Sequence, residues 1–441
     1  MKFAKLSIAA LVAVGFTSSA VASDITINPF GTAKLFYETV STDADGSNDL
    51  FAQGTAGVDA ATGQARISGG ATGSLNKCLG YGFEYMAVDT LGLENNLVSK
   101  VAMGAGKGTQ SNGLDTQHWA SQAYLTYSPC DTFLSNTTFK IGRQYLDTPL
   151  AFTENWKIAP NSFDAVVAIN KDIINTTLIG AYVGKGNGSK GTVTVGNNFS
   201  SYGQEGAYAV GAITSLMDGA IPLSIWAYDV VNVANAAWAD AGYKADLGGV
   251  KLNLGGQYAW VDPDTDANSY AAGLVGAAAA AGLDATTGYG LKVGTSTKLA
   301  GMGVSLMAAY SSVDADGTIA LANTATLGGT TGGKKTKLYT AGIYTDGVYV
   351  AAPGSDAFKI KASTKIAGIG SLTAQYINNT NDKVGSEGLE VSEIDVILGT
   401  SLPGGIGAKL IYINRSHETD LNLAAGSRDT NHVRVVLSSK F

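Results

Sequence analysis

The feature that most constrains the fold is a run of about ten residues, with alternating apolar and polar side chains, that recurs along the chain. In the last run, residues 431–441, Val433, Val435 and Leu437 fall on one face and Arg434 and Ser438 on the other. Successive side chains of a strand point to opposite faces, so this period of two predicts β-strands. A soluble sandwich would also alternate, but it would not readily hide so many alanines, glycines and single lysines behind one apolar face. We therefore expect an all-β fold, a transmembrane antiparallel barrel.

The links between these runs alternate between short and long. Short links rich in glycine, which permits the backbone of tight hairpins, occur at 247–249, 300–303, 367–370 and 402–405. Long polar links occupy residues 41–63, 91–117, 186–204, 262–285, 314–356, 381–389 and 418–430. Short turns on one rim and long loops on the other are typical of barrels in the bacterial outer membrane.

The pattern predicts 18 strands, with both chain ends on the rim of short turns. They span residues 25–40, 64–77, 81–90, 118–128, 136–146, 162–172, 175–185, 205–217, 220–231, 235–246, 249–261, 286–299, 303–313, 357–367, 370–380, 390–401, 406–417 and 431–441.

Three other segments bear on this strand count. Residues 96–106 and 337–350 also look like strands, and counting both would give 20. We assign them to long loops, because counting either alone puts a short turn on the wrong rim. The alanine-rich residues 271–283 could form a short helix within a loop. A barrel of 16 to 18 strands is wide enough to leave an aqueous channel.

The first residues predict a secretory signal peptide. Lys2 and Lys5 precede a short apolar stretch, and residues 20–22 (AVA) form a small-residue cleavage site. We expect residues 1–22 to be removed and residues 23–441 to form a single barrel domain. An N-terminal anchor helix is the alternative, but polar residues follow the apolar stretch at once.

The composition agrees with a barrel and excludes one class of function. Charged residues make up only 15% of the chain, which contains 57 glycines and 20 tyrosines. A barrel meets lipid with only every second residue of a strand, so it needs no long apolar segment. The formal net charge is −7, and the predicted signal would remove two lysines and no acid. Such an acidic chain is not expected to bind nucleic acid.

Residues 142–150 (GRQYLDTPL), followed by residues 160–164 (PNSFD), are the most specific motif. They resemble the third-loop signature of OprD-type porins and the related Campylobacter-type major outer membrane porin. The terminal Phe441 is similar to the end of such porins. The resemblance implies a water-filled channel for passive diffusion, narrowed by a third loop that folds into the lumen.

The resemblance also implies which residues form the constriction. They are Arg143, Asp147, Glu154, Lys157 and Asp164. Alternatively, Gly142 and Pro149 merely end a strand and these charges are solvated. Arg143 shares its strand face with Phe139 and Ile141, so a bulge or the strand end would have to turn it inward.

Alternation assigns a further set of charges to the lumen, because charge on the lipid face is costly. The basic members are Lys140, Lys244, Lys359, Lys361, Lys365, Arg415, Arg434 and Lys440. The acidic members are Glu84, Asp164, Asp240, Glu393 and Asp395. A basic wall opposite an acidic loop would orient small charged solutes. The sequence leaves the sign of selectivity open, and a nonselective pore is the alternative.

Cys78 and Cys130 are the only cysteines, and they fall in successive short turns. Those turns are neighbours on the rim, so we expect a disulfide bond, with two free thiols as the alternative. No cofactor is expected, except that Asp43, Asp45 and Asp49 are spaced in a way that calcium favours. Asx turns explain these aspartates equally well.

The chain is therefore expected to be an outer-membrane porin and not an enzyme. Its expected partners are outer-membrane lipid, ions and small hydrophilic solutes, as a monomer or a homotrimer. A surface adhesin is one alternative. An outer-membrane hydrolase is another, but His118, His417 and His432 have no recognisable serine and aspartate partners in sequence.

Overall fold

The computed structural model describes residues 25–42, 49–51, 61–89, 117–130, 132–155, 158–187, 199–202, 205–264, 284–321, 335–381, 389–418 and 428–441. Within these ranges the chain forms one antiparallel sheet that closes on itself. No helix of the described part is both long and apolar enough to cross a membrane.

The sheet contains nineteen strands, one of them only two residues long. They are β1 (Asn28–Thr42), β2 (Ala61–Ser74), β3 (Leu79–Asp89), β4 (Gln117–Tyr127), β5 (Thr137–Gln144), β6 (Phe163–Asn170), β7 (Thr176–Gly186), β8 (Ser200–Ser201), β9 (Ala207–Leu216), β10 (Ile221–Val230), β11 (Ala234–Asp246), β12 (Lys251–Pro263), β13 (Thr286–Leu299), β14 (Met302–Val313), β15 (Ser355–Ile366), β16 (Gly370–Asn381), β17 (Leu389–Leu402), β18 (Ile406–Glu418) and β19 (Arg428–Lys440).

The barrel closes where the first and last strands meet. Strand β1 pairs with β2 on one side, with Lys34 opposite Arg66, and with β19 on the other, with Glu38 opposite Arg434. The short strand β8 pairs only with β7, and β7 pairs directly with β9. Eighteen strands thus form the wall, and the predicted count is confirmed.

Both ends of each predicted strand lie within three residues of the corresponding ends of an observed strand. Residues 337–350 form no strand, as expected for part of a loop. Residues 1–22, 96–106 and 271–283 lie outside the described residues, so the predicted signal peptide and loop helix stay predictions.

The outward face of the wall carries the apolar half of each alternating pattern. Leu35, Ile141 and Ile360 are 48, 51 and 55% exposed in the isolated chain. Burying this surface in hydrocarbon is the driving force that the alternation predicts, at roughly 25 cal/mol per Å² of apolar area.

The inward face is less polar than expected. On β6, β11 and β12 it carries Val167, Ala236, Trp238 and Val261, each at most 6% exposed. These side chains pack with apolar residues of two loops inside the barrel, namely Leu150, Ala151, Ile319, Leu321 and Val350. Part of the lumen is therefore a packed core, and only the remainder is open to water.

Two of the short turns are covalently joined. Cys78 and Cys130 form a disulfide bond with their Cα atoms 5.5 Å apart, as the sequence predicted. The bond lies beside the backbone hydrogen bond from the Ser128 amide to the Cys78 carbonyl, which is 2.8 Å long. It therefore fixes the rim between β2–β3 and β4–β5.

Removing this bond should destabilise the barrel without altering the pore. For a sequence separation of 52 residues, the loss of chain restraint in the unfolded state predicts a decrease of up to about 4 kcal/mol for Cys78→Ser with Cys130→Ser. Urea unfolding of the detergent-solubilised protein measures the decrease. Alkylation of the unreduced, denatured wild type should label no thiol, and two labelled thiols would contradict the bond.

Candidate functional site

A cavity of about 1820 Å³ occupies the lumen beside the inner faces of β14–β19 and β1–β3. At one end it is bounded by loop 3 (residues 145–162) and loop 7 (residues 314–354, described outside 322–334). At the other end it reaches the turn between β15 and β16 on the rim of short turns. This cavity is the candidate pore.

Loop 3 enters the lumen between β5 and β6 and meets the wall at β1 and β3. The hydroxyl of Tyr145 donates to Oε2 of Glu84 at 2.6 Å, and Nζ of Lys34 donates to the carbonyl of Asn155 at 3.0 Å. Burial, followed by the Glu84 charge, raises the pKa of Tyr145, so its phenol stays protonated and donates. Loop 3 thus lies inside the barrel, as expected, and Glu154 lines the cavity.

Loop 7 also folds into the lumen, and the carboxylate of Glu393 on β17 holds it there. Backbone amides of three consecutive residues donate to this carboxylate: Ile343 at 2.6 Å, Tyr344 at 3.0 Å and Thr345 at 2.6 Å. Glu393 is fully buried, and a Cβ at Gly342 would lie 2.5 Å from its Oε1 atom. The close approach therefore requires glycine at position 342.

A second anchor joins loop 7 to the seam of the barrel. The hydroxyl of Tyr344 contacts Oε1 of Glu38 and accepts from Nη2 of Arg434 at 2.9 Å. Arg434 also pairs with Glu38 at 3.0 Å, and Nδ1 of His432 lies 2.9 Å from Glu38. Glu38 and Arg434 are 7 and 1% exposed, so this cluster fixes structure rather than offering free charge.

The two loops are also tied to each other. Lys337 of loop 7 forms an ion pair with Asp147 of loop 3, and Lys335 pairs with Asp346 within loop 7. Burial raises the pKa of Asp346, while the Lys335 charge opposes that shift. Together the loops form one constriction across the barrel.

The structure brings Arg143 and Asp164 together, but on the outer face. Nε of Arg143 donates to Oδ1 of Asp164 at 2.7 Å, and Nη2 donates to Oδ2 at 3.0 Å. These residues lie directly opposite each other, two positions from exposed Ile141 and Val166. Neither lines the cavity. The regular β5–β6 register keeps Arg143 on the face that its alternation predicted, and no bulge turns it inward.

The other predicted constriction residues have different placements. Asp147 is 89% exposed at its side chain and pairs with Lys337. Glu154 lines the cavity, whereas Lys157 lies outside the described residues. Asp43 and Asp45 also lie outside them, so the calcium hypothesis stays a prediction. Within the described part of the chain, no cluster of three or more His, Cys, Asp or Glu residues is placed to hold a metal ion.

Removing Arg143 tests whether the Arg143–Asp164 pair lies outside the pore. Arg143→Ala should lower the free energy of unfolding by about 1–3 kcal/mol, because it leaves a half-buried carboxylate without its bidentate partner. Conductance should stay unchanged, since the pair lies outside the lumen. Urea unfolding and single-channel recording of the same preparation measure the two effects. A changed ion selectivity would instead favour a role in the constriction.

Alternation wrongly assigned Asp164 to the lumen, since it lies beside Arg143, two positions from exposed Val166. The other charges assigned to the lumen lie on inward positions of their strands, but loops and neighbours occupy many of them. Lys359 donates to the Ala341 carbonyl at 2.6 Å, and Arg415 donates to the hydroxyl of Tyr349. Lys140 lies 3.9 Å from the ring centre of Tyr124.

The inward acids are similarly engaged. Glu84 accepts from Ser121, Asp240 from Trp238 and Gln257, and Asp395 from Gln375. Lys365 and Lys440 line the main cavity, and Lys244 and Lys361 line a second one.

Sequence reasoning missed three inward basic residues that line the cavity: Lys34, Arg66 and Lys409. Their strands lacked a clear polar face, because Phe36 lies two positions from Lys34, and Ile411 two positions from Lys409, on the inward side. Side-chain alternation alone would have assigned these residues to the lumen once their strands were placed in register.

The lining of the cavity is basic, although the whole chain has a net charge of −7. Seven basic and three acidic groups are among the described residues that line it, and one of the basic groups, Arg434, is already paired with Glu38. The basic groups are Lys34, Arg66, Lys335, Lys365, Lys409, Arg434 and Lys440, and the acidic groups are Glu84, Glu154 and Asp346. The excess of positive charge attracts anions into a site with low-dielectric walls.

Neither a model of a known protein family nor a curated protein sequence matches the chain. Solved structures do match over nearly its whole length. Pseudomonas aeruginosa OccK9 (OpdG) is 15% identical with a TM-score of 0.64, and the match covers 94% of this chain and 99% of that one. P. aeruginosa OccK2 (OpdF) is 12% identical with a TM-score of 0.65, covering 94% and 97%. P. aeruginosa OpdK with vanillate is also 12% identical with a TM-score of 0.65, covering 93% and 98%. The chain therefore has the 18-stranded barrel fold of these outer-membrane proteins. This result confirms the predicted fold, including its resemblance to OprD-type porins.

Proposed function

We propose that the protein is an outer-membrane porin, a channel for passive diffusion of ions and small hydrophilic solutes with a preference for anions. The observation that carries this proposal is a closed barrel of 18 wall strands whose lumen holds a cavity of about 1820 Å³, with mainly basic residues among its charged lining residues. A barrel of this width is too large for wall side chains to fill. The apolar outward face suits a lipid environment.

Loops 3 and 7 make the channel selective by narrowing it. They occupy the side of the lumen next to the apolar inner face of β6–β12 and leave water beside β14–β19 and β1–β3. A solute that passes them meets the basic groups at close range. Ion pairs and hydrogen bonds with several of these groups would replace part of the hydration of a carboxylate or phosphate.

Small carboxylates are the class of solute that this lining fits best. The similar P. aeruginosa barrel OpdK was solved with vanillate, which carries a carboxylate. In this chain the exposed lysines Lys365, Lys409 and Lys440 lie between the constriction and the rim of short turns. They would bind such a group weakly, which permits passage.

Reconstitution of the purified protein in planar bilayers tests the proposal. We expect stepwise openings, and a reversal potential in a potassium chloride gradient that indicates greater permeability to chloride. Membranes that stay ion-tight with folded protein inserted would contradict a porin and favour a surface adhesin. Conduction with greater potassium permeability would retain the porin and reject the anion preference.

A further inference from the structure

A second cavity, of about 770 Å³, lies beside the main pore on the rim of short turns. Its walls are the rim-proximal halves of β11–β15. Four lysines line it, one on each of β11, β12, β13 and β15: Lys244, Lys251, Lys292 and Lys361. This cavity is called the lysine pocket below.

The lysine pocket is closed towards loop 7. Along the inner face of β12, Lys251 and Asn253 line the pocket, whereas Gln257 donates to the Lys337 carbonyl at 2.9 Å. The amide of Tyr339 donates back to Gln257 at 3.0 Å. Further along, Ala259 and Val261 belong to the packed apolar core. The pocket is thus a cavity separate from the main one, and loop 7 contacts the wall beside it.

Tyr339 of loop 7 contacts one of the four lysines. Its ring centre lies 3.9 Å from Nζ of Lys292, and its hydroxyl lies 3.5 Å from Asp240. Asp240 is also engaged by Trp238 and Gln257. The contact with the Tyr339 ring thus positions the Lys292 ammonium within the pocket.

The four ammonium groups are not neutralised by the wall. None of them lies within ion-pairing distance of a carboxylate among the described residues. Two acids, Asp218 and Asp246, line the pocket at the short turns, and Asp246 accepts from the Gly249 amide at 3.0 Å. Four positive charges around one recess repel each other unless an anion lies between them.

We propose that the lysine pocket is a binding site for a small multivalent anion, of the phosphate or polycarboxylate class. Several negative charges on one molecule can meet ammonium groups from several strands at once. Asn253, Ser296, Ser305 and Ser363 supply hydrogen-bond donors within the same recess. An anion held there would lower the positive potential of the neighbouring main cavity, so its binding would reduce the anion preference of the pore.

Inorganic pyrophosphate is the probe, and titration calorimetry of the detergent-solubilised full-length protein at low ionic strength measures its affinity. Lys244→Gln with Lys292→Gln should weaken binding about tenfold, because two of the four ammonium groups are removed. The matched control, Lys171→Gln with Lys185→Gln, removes two exposed lysines that line neither cavity and should leave the affinity within about twofold. Citrate tests the carboxylate class in the same way.

Folding of the variants is judged by the mobility of unheated protein in detergent gels. If the first double variant does not fold, Lys251→Gln with Lys361→Gln replaces it. No binding by folded wild type, or an equal loss in the control pair, would overturn the proposal. Single-channel recording of the same samples keeps the two proposals apart. Conduction without pyrophosphate binding rejects only the lysine pocket, and binding without conduction rejects only the porin.

Discussion

Glu393→Ala is expected to widen the pore and raise its single-channel conductance by about twofold or more, because the narrowest section limits ion flow. The substitution removes the acceptor for three consecutive amides of loop 7. Each buried amide without a partner costs about 1–3 kcal/mol, so the loop is more stable detached, with those amides in water. The wall should stay intact, since its strands remain paired on both sides.

Two further variants refine this prediction. Glu393→Gln keeps one acceptor oxygen but loses the charge, so an intermediate conductance is expected. Gly342→Ala should also detach the loop, because its Cβ would lie 2.5 Å from Oε1 of Glu393. Glu390→Gln is the matched control, an acid on the same strand that bonds Asn378 and is expected to leave conductance unchanged. Folded Glu393→Ala protein with wild-type conductance would show that loop 7 does not limit the pore.

Neutralising the exposed lysines of the main cavity is expected to reduce its anion preference. With Lys365, Lys409 and Lys440 all replaced by glutamine, the ratio of chloride to potassium permeability should fall by about threefold or more. These three residues are exposed within the lumen and have no ion-pair partner among the described residues, so their loss should not unfold the barrel. Reversal potentials in a salt gradient give the ratio directly.

The effect of these lysines should also depend on ionic strength. It should shrink as salt rises, because the screening length falls from about 10 Å at 0.1 M to about 3 Å at 1 M. Lys171→Gln, in the turn between β6 and β7, removes an exposed lysine that does not line the cavity and should leave the ratio unchanged. An unchanged ratio in the triple variant at low salt would place the basis of selectivity elsewhere, at the constriction.

We expect the constriction and the exposed lysines of the main cavity to make separable contributions to conductance and ion selectivity. Loop 7 sets the width through Glu393 and the Glu38–Arg434–Tyr344 cluster, in which charges are buried and paired. On the proposed function, the exposed lysines would set the electrostatic potential through which ions approach. Variants of the first group should change conductance more than selectivity, and variants of the second group should do the reverse.

The sequence by itself determined the wall of this protein. A period of two fixes which side chains share a face, and glycine-rich links fix where the chain turns, so the strand number and most of the lumen-facing charges followed from local pattern. The disulfide followed from the order of the turns. Even the outward position of Arg143 was indicated by its alternation with Ile141, against the role that the family motif implied.

Only the tertiary structure decided what fills the barrel. Tyr344 and Glu38 are 306 residues apart in sequence, and no local pattern relates them. Whether an inward charge is free or paired depends on the loop residues that reach it, as Glu393 and Lys359 show. The inward alanines and Trp238 likewise acquire a partner only when loops 3 and 7 pack on them. Alternation is a local property of a strand, whereas the width and charge of a pore arise from contacts between distant parts of the chain.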